Sequence, residues 1–146
     1  MSINEKLQQL GITLTDPVKP LAAFVPFVQT GNLLYLSGTI SKLRGKVGAD
    51  VTRDEANEAA RLIAIDLLST LRSATQDLER VKRIVKLLVL VNSATDFTEQ
   101  HLVANGASEL FKNVLGAKGE HARSAFGVAQ LPFGASVEIE LIAELE

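Results

Sequence analysis

Cysteine is absent from all 146 residues, which excludes disulfides, thiolate metal sites and cysteine nucleophiles, and suits a reducing compartment. Long apolar runs are missing too. The longest, Leu87 to Val91, sits between Lys86 and Asn92 and has the length of a strand, far short of the roughly 20 residues of a membrane span. The start, Met1-Ser2-Ile3-Asn4-Glu5, carries neither a basic region nor a long apolar stretch, so a secretory signal is not expected. Nor is there an excess of positive charge. With a net charge of −2 and acids and bases mixed along the chain, the field that phosphate-backbone binding requires is lacking, and nucleic acid is disfavoured as a ligand. The densest basic cluster, Arg80, Lys82, Arg83 and Lys86, reads as solvated residues at a turn that runs into a strand. These absences describe a soluble, cytoplasmic protein with no membrane partner.

Without internal repeats, low-complexity tracts or a Pro/Gly/Ser linker, residues 1–146 read as one domain. Residues 1–16 form an amino-terminal appendage in which Ser2-x-x-Glu5 resembles a capping box and starts a short helix through Leu7 and Leu10, ending at Gly11. Pro17, Pro20 and Pro26 keep the next stretch extended. Phe27-Val28-Gln29 and Leu33-Leu34-Tyr35-Leu36-Ser37 then flank Thr30-Gly31-Asn32 as a hairpin, and Gly38 to Asp50 reads as a loop. A second capping box, Thr52-Arg53-Asp54-Glu55, opens a long helix whose stripe Ala56, Ala59, Ala60, Ile63, Leu67, Leu71 and Ala74 falls on one face.

Ile84 to Val91 is a strand covered on both faces, with Ile84, Leu88 and Leu90 opposite Val85, Leu87, Val89 and Val91. Another helix runs from Thr95 or Asp96 to Leu115, at a cost of about 1 kcal/mol for Gly106 relative to alanine. Arg123 to Gln130 and Ala135 to Leu145 complete the order as a second hairpin. The pattern is α+β, a sheet with both helices on one face. Two helices leave the other face of that apolar strand uncovered, so self-association is expected.

Period-two alternation places Arg123, Ala125, Gly127 and Ala129 on one face, and Glu138, Glu140 and Ile142 opposite the apolar face of the last strand. In a tight hairpin these glutamates share the face of Arg123. A guanidinium among small residues has open space before its fork, which suits a planar carboxylate. A nearby glutamate can hold a water or move a proton. The bland alternative is a cross-strand ion pair of Arg123 with Glu138 or Glu140, worth about 0–1 kcal/mol if exposed. His101 and His121 read as surface or interface residues. No phosphate loop, zinc motif or nucleophile elbow is present.

The run Ala122-Arg123-Ser124-Ala125-Phe126-Gly127-Val128-Ala129-Gln130-Leu131-Pro132, followed by Val137-Glu138-Ile139-Glu140, resembles the carboxy-terminal signature of the Rid (YjgF) family. Gly31-Asn32-Leu33-Leu34-Tyr35-Leu36-Ser37-Gly38 resembles that family's first hairpin. The resemblance implies a chorismate-mutase-like α+β fold, assembled as a homotrimer with a central β-barrel and clefts between subunits. It implies hydrolysis of 2-imino or enamine acids to 2-oxo acids and ammonia, with no metal or organic cofactor. In that scheme Arg123 holds the substrate carboxylate, Glu138 positions the attacking water, and Phe24, Ser37, Gly38 and Ala125 line the cleft. Phe24 stands where the family's deaminases carry a tyrosine, and Ala125 where they carry a cysteine; the first removes a hydroxyl and the second reshapes the pocket. A noncatalytic protein that binds a small carboxylate metabolite in the same cleft is the alternative. The ribonuclease or translation-inhibitor activity of some relatives lacks the basic groove it would need.

Overall fold

Capping boxes start two helices where the sequence places them. Ser2 Oγ accepts from the Glu5 N–H at 3.1 Å while the Glu5 carboxylate accepts from the Ser2 N–H at 3.1 Å, opening α1, Ile3–Gln9. Thr52 and Glu55 do the same for α2, Arg53–Thr75. The structure, a computed structural model, describes residues 1–17, 19 and 22–146. Of the prolines expected to hold the early stretch extended, Pro20 lies outside the described residues. Ile3, Leu7 and Leu14 are buried in the same core as the rest of the chain, so the amino-terminal segment packs rather than trails.

The second long helix, α3, spans Gln100–Leu115 and begins later than its pattern suggested. The Ser93 N–H donates to Val128 O and the Ala94 N–H to Val47 O, and the Phe97 N–H closes a turn onto Ala94 O, so residues 95–97 form that turn before the helix opens at Gln100.

Five strands follow: β1 Phe27–Thr30, β2 Leu33–Ile40, β3 Val81–Asn92, β4 Ala122–Val128 and β5 Val137–Leu145. They form one mixed sheet in the order β1-β2-β5-β3-β4. The first hairpin is present, but the second is not. β5 inserts between β2 and β3, antiparallel to both, while β4 lies on the far side of β3, parallel to it. Because α3 joins β3 to β4, a parallel crossover is the natural outcome. The β4–β5 connection is drawn away from a turn by its own bonds: the Ser136 N–H donates to Leu43 O, and the Asn92 side chain donates to Ala135 O at 3.1 Å.

α2 and α3 pack on one sheet face, over Leu34, Leu36, Leu87, Val89, Val91, Ile139, Leu141 and Ala143, all buried. Ile84 also belongs to this face. A register irregularity between Ile84 and Lys86 turns it to the side of Leu87, opposite to strict alternation. The other face carries Tyr35, Lys86, Leu88, Leu90, Phe126, Glu138, Glu140 and Ile142, with Val28, Tyr35 and Phe126 each roughly half exposed. The basic cluster serves the fold: Lys82 and Arg83 pair with Glu144 at 3.7 and 3.3 Å, and Arg80 donates to Thr75 O.

Gly106 lies where α3 crosses α2. A Cβ there would overlap the backbone carbonyl of Asn57, whose side chain in turn donates to Leu102 O at 2.8 Å. Gly106→Ala should therefore destabilise the protein despite a helix-propensity gain of about 1 kcal/mol, with a net loss of about 1–2 kcal/mol after overpacking. Thermal unfolding checks the sign; a melting midpoint at or above wild type would contradict the close approach.

Candidate functional site

Arg123 sits on β4, an edge strand, in register with Leu87 and hence on the helix side of the sheet. Its guanidinium turns onto α3. Nη1 donates to Asn105 Oδ1 at 2.9 Å and to Ser108 Oγ at 3.0 Å, and Nη2 donates to His101 O at 3.3 Å. These three bonds leave two of the five guanidinium N–H groups without an acceptor among the described residues. No carboxylate among them reaches ion-pair distance of Arg123. The group is thus held by neutral acceptors, with its charge uncompensated and part of its fork open, which is the state required of an anion clamp.

Ala125 follows on the same face, half-buried against the core. Gly127 does not contribute open space: a Cβ there would crowd the side chains of Gln100 and Ser93. The small residues on this strand serve the close approach of α3 and its preceding loop as much as a pocket.

Glu138 belongs to the other face. On β5 it pairs with Leu90 and Ile40, on the uncovered side of the sheet. Half-buried there, its carboxyl is pushed above the ordinary glutamate range, first by desolvation and then by the negative charge of Glu140 two residues along the same face. A β-bulge shapes the space beside it. The register between β2 and β5 shifts between Leu36 and Thr39, with one extra residue on β2, and this places Gly38 against Glu138. Any Cβ on Gly38 would collide with Glu138 Oε2, so glycine keeps the carboxylate where it is.

Ser37, in the same bulge, donates from Oγ to Val25 O at 2.6 Å and from its N–H to Pro26 O at 2.9 Å. It thereby ties the segment carrying Phe24, which is half exposed, to the end of β2 that holds Gly38.

The expected candidates thus form two groups. Arg123 and Ala125 lie at the β4 edge beside α3; Glu138, Gly38, Ser37 and the Phe24 segment lie together on or beside the uncovered face. The two groups are separated by the intervening strand β3 and by the thickness of the sheet, so the cross-strand ion pair of Arg123 with Glu138 or Glu140 does not exist. The shared face expected from a tight hairpin fails because β4 and β5 are not neighbours. Sequence reasoning also missed Asn105 and Ser108. Their i,i+3 spacing on α3 is a weak signal of a polar stripe, one that gains meaning only once β4 is known to lie beside that helix.

Two clefts open elsewhere, and neither is lined by Arg123 or Glu138. One of about 240 Å³ lies between α2 and α3 near Arg53 and Asn105, and one of about 470 Å³ lies between α2 and residues 41–43. Among the described residues no group of three or more His, Asp or Glu side chains is placed to hold a metal ion, and no helix is long and apolar enough to cross a membrane.

A mixed five-stranded sheet backed by two long helices, with an arginine held by neutral acceptors on its edge strand and a glutamate of raised pKa on its open face, defines a class of small α+β protein. The model of the family described as Endoribonuclease L-PSP matches residues 14–145, and the chain belongs to that family, the one its Arg123 motif resembles. Protein TCP17 of Trypanosoma cruzi is 47% identical over 146 residues, spanning 95% of this chain and 91% of its own. The crystal structure of the protein Atu1372, of unknown function, from Agrobacterium tumefaciens matches with a TM-score of 0.92 at 44% identity, over 99% of this chain and 92% of that one. A 2-iminobutanoate/2-iminopropanoate deaminase of Dermatophagoides farinae is 29% identical over 132 residues, spanning 88% of this chain and 90% of its own.

Proposed function

We propose that this protein hydrolyses reactive 2-imino or enamine acids to 2-oxo acids and ammonia, at a cleft completed between copies of the chain in a homotrimer. The observation that carries this reading is Arg123, fixed by neutral acceptors and, among the described residues, without a carboxylate partner and with two N–H donors left for a ligand. One chain cannot bring Arg123 and Glu138 to one small substrate, because they lie on opposite faces of the sheet. Two chains can. Arg123 stands at the rim of the sheet, and the uncovered face of a neighbour carries Glu138, Gly38 and Ser37 among half-exposed apolar side chains that favour burial.

In this cleft Arg123 of one copy holds the substrate carboxylate, which fixes the protonated imine carbon near Glu138 of the next. Glu138 takes a proton from water as the oxygen bonds to that carbon. Glu138 then returns its proton to the carbinolamine nitrogen, the C–N bond breaks as the C=O bond forms, and the proton of the former hydroxyl passes to the departing ammonia, which leaves as ammonium with Glu138 ionised again. The raised pKa of Glu138 suits both transfers, since a base poised nearer neutrality is also a usable acid. The similarity to the 2-iminobutanoate/2-iminopropanoate deaminase of Dermatophagoides farinae supports this substrate class.

A noncatalytic carboxylate-binding protein is the second reading, favoured by Phe24, which supplies no hydroxyl to orient water or substrate. Turnover separates the two. Several 2-imino acids, generated in situ with an amino-acid oxidase, should decay faster with wild-type protein than spontaneously. Ligand binding without any acceleration across the panel would favour the binder.

A further inference from the structure

Beside Arg123 lies a hydrogen-bonded chain of three side chains. His121 Nδ1 is 2.6 Å from Gly119 O, and its Nε2 is 2.9 Å from Ser108 Oγ, which in turn receives Arg123 Nη1–H at 3.0 Å. A carbonyl oxygen only accepts, so Nδ1 carries the proton. In the neutral ring Nε2 is then a bare acceptor, and the Ser108 hydroxyl must aim its single proton at it. That leaves the oxygen lone pairs facing Arg123. The imidazole itself is held in place: Phe111 meets it edge-on at 6.3 Å between centroids, and Gly119 approaches the Phe111 carbonyl so closely that a Cβ would overlap it.

We infer that His121 and Ser108 are positioning residues for Arg123, setting which edge of its guanidinium faces the ligand. The inference rests on the carboxylate-clamp reading of Arg123. With both Nη1 donors engaged, by Asn105 and by the oriented Ser108, and one Nη2 donor on His101 O, only Nε–H and the second Nη2–H remain for a carboxylate. Removing His121 frees the Ser108 hydroxyl to rotate, and a serine within a helix then turns to the carbonyl one turn back. Its oxygen no longer holds Nη1, and the fork loses its fixed orientation.

Nitrogen NMR of the full-length protein tests the chain without reference to turnover. The wild type should show His121 protonated at Nδ1 and bare at Nε2, with slow rotation of the Arg123 guanidinium. Ser108→Ala and His121→Phe, the latter keeping the ring packing, should each speed that rotation, while Ser108→Thr and His121→Gln restore slow rotation. In the imino-acid assay, the two disruptive variants should raise KM by about 3–10-fold with kcat nearly unchanged, as expected for loss of one hydrogen bond that orients a binding group. The double variant should be no worse than either alone, and Ser108→Ala should have no effect on KM in an Arg123→Ala background. A purely structural role would lower stability and kcat together and would add to the Arg123→Ala defect. If Arg123 rotates equally fast in wild type and Ser108→Ala, or His121 is bare at Nδ1, the inference is overturned. A wild type that hydrolyses no imino acid would refute the deaminase reading instead, and the NMR result would still decide the positioning role.

Discussion

Arg123→Ala is expected to lower kcat/KM for 2-imino acids by about two to three orders of magnitude, since it removes two charge-assisted hydrogen bonds to the substrate carboxylate. Arg123→Lys should recover only part of this, because an ammonium offers a point charge in place of a planar fork. The variant should fold. Arg123 is half-buried on an edge strand and engages only neutral acceptors that water can satisfy, so its loss should cost no more than about 1 kcal/mol of stability. Steady-state kinetics beside a thermal melt check both statements. Activity within threefold of wild type would remove Arg123 from the site, and a collapse in stability would make it a structural residue.

Glu138→Gln is the second large effect. The glutamine keeps the shape beside Gly38 but cannot take a proton from water, so kcat should fall by about 10²–10⁴, the usual contribution of a general base. The pH profile carries the sign. Glu138 must be ionised to accept the proton, and its pKa is raised by burial and by Glu140. Wild-type kcat/KM should therefore decline on the acid side through a pKa above the ordinary glutamate value of about 4.3. In Glu140→Gln, which removes the neighbouring negative charge, that limb should move to lower pH. An acid limb that does not respond to Glu140 would assign the titration to another group.

Alternation within single strands was the most legible feature of the sequence. Val137, Ile139, Leu141 and Ala143 face the helices, while Glu138 and Glu140 face away, as period two requires. Pairing between strands was not legible. The short segment Leu131-Pro132-Phe133-Gly134 looks like a turn, and nothing local to it records that Ser136 bonds to Leu43 and Asn92 to Ala135. Those long-range bonds decide that β5 lies between β2 and β3, and with that the face of Glu138 parts from the face of Arg123.

Bulges escape a period count for a related reason. One extra residue reverses every side chain beyond it, so Ile84 turned to the helix side and Ser37-Gly38 formed a shelf for Glu138. The polar partners of Arg123 were hidden in the same way, because Asn105 and Ser108 come from a helix whose position over β4 is a tertiary fact. The arginine-to-glutamate motif was readable as a run of residues, but not its layout: Arg123 bonds to neutral acceptors on α3, and Glu138 lies on the opposite face of the sheet.

The shared site is the central claim, and mixed oligomers test it most directly. Chains carrying Arg123→Ala and chains carrying Glu138→Gln, each nearly inactive alone, can be co-expressed with different tags and the mixed species purified. In a ring of three with one site per boundary, each mixed trimer holds a single boundary with both residues intact, so roughly a third of wild-type activity should return. Mixed trimers that form but remain as inactive as their parents would contradict a site built from two copies.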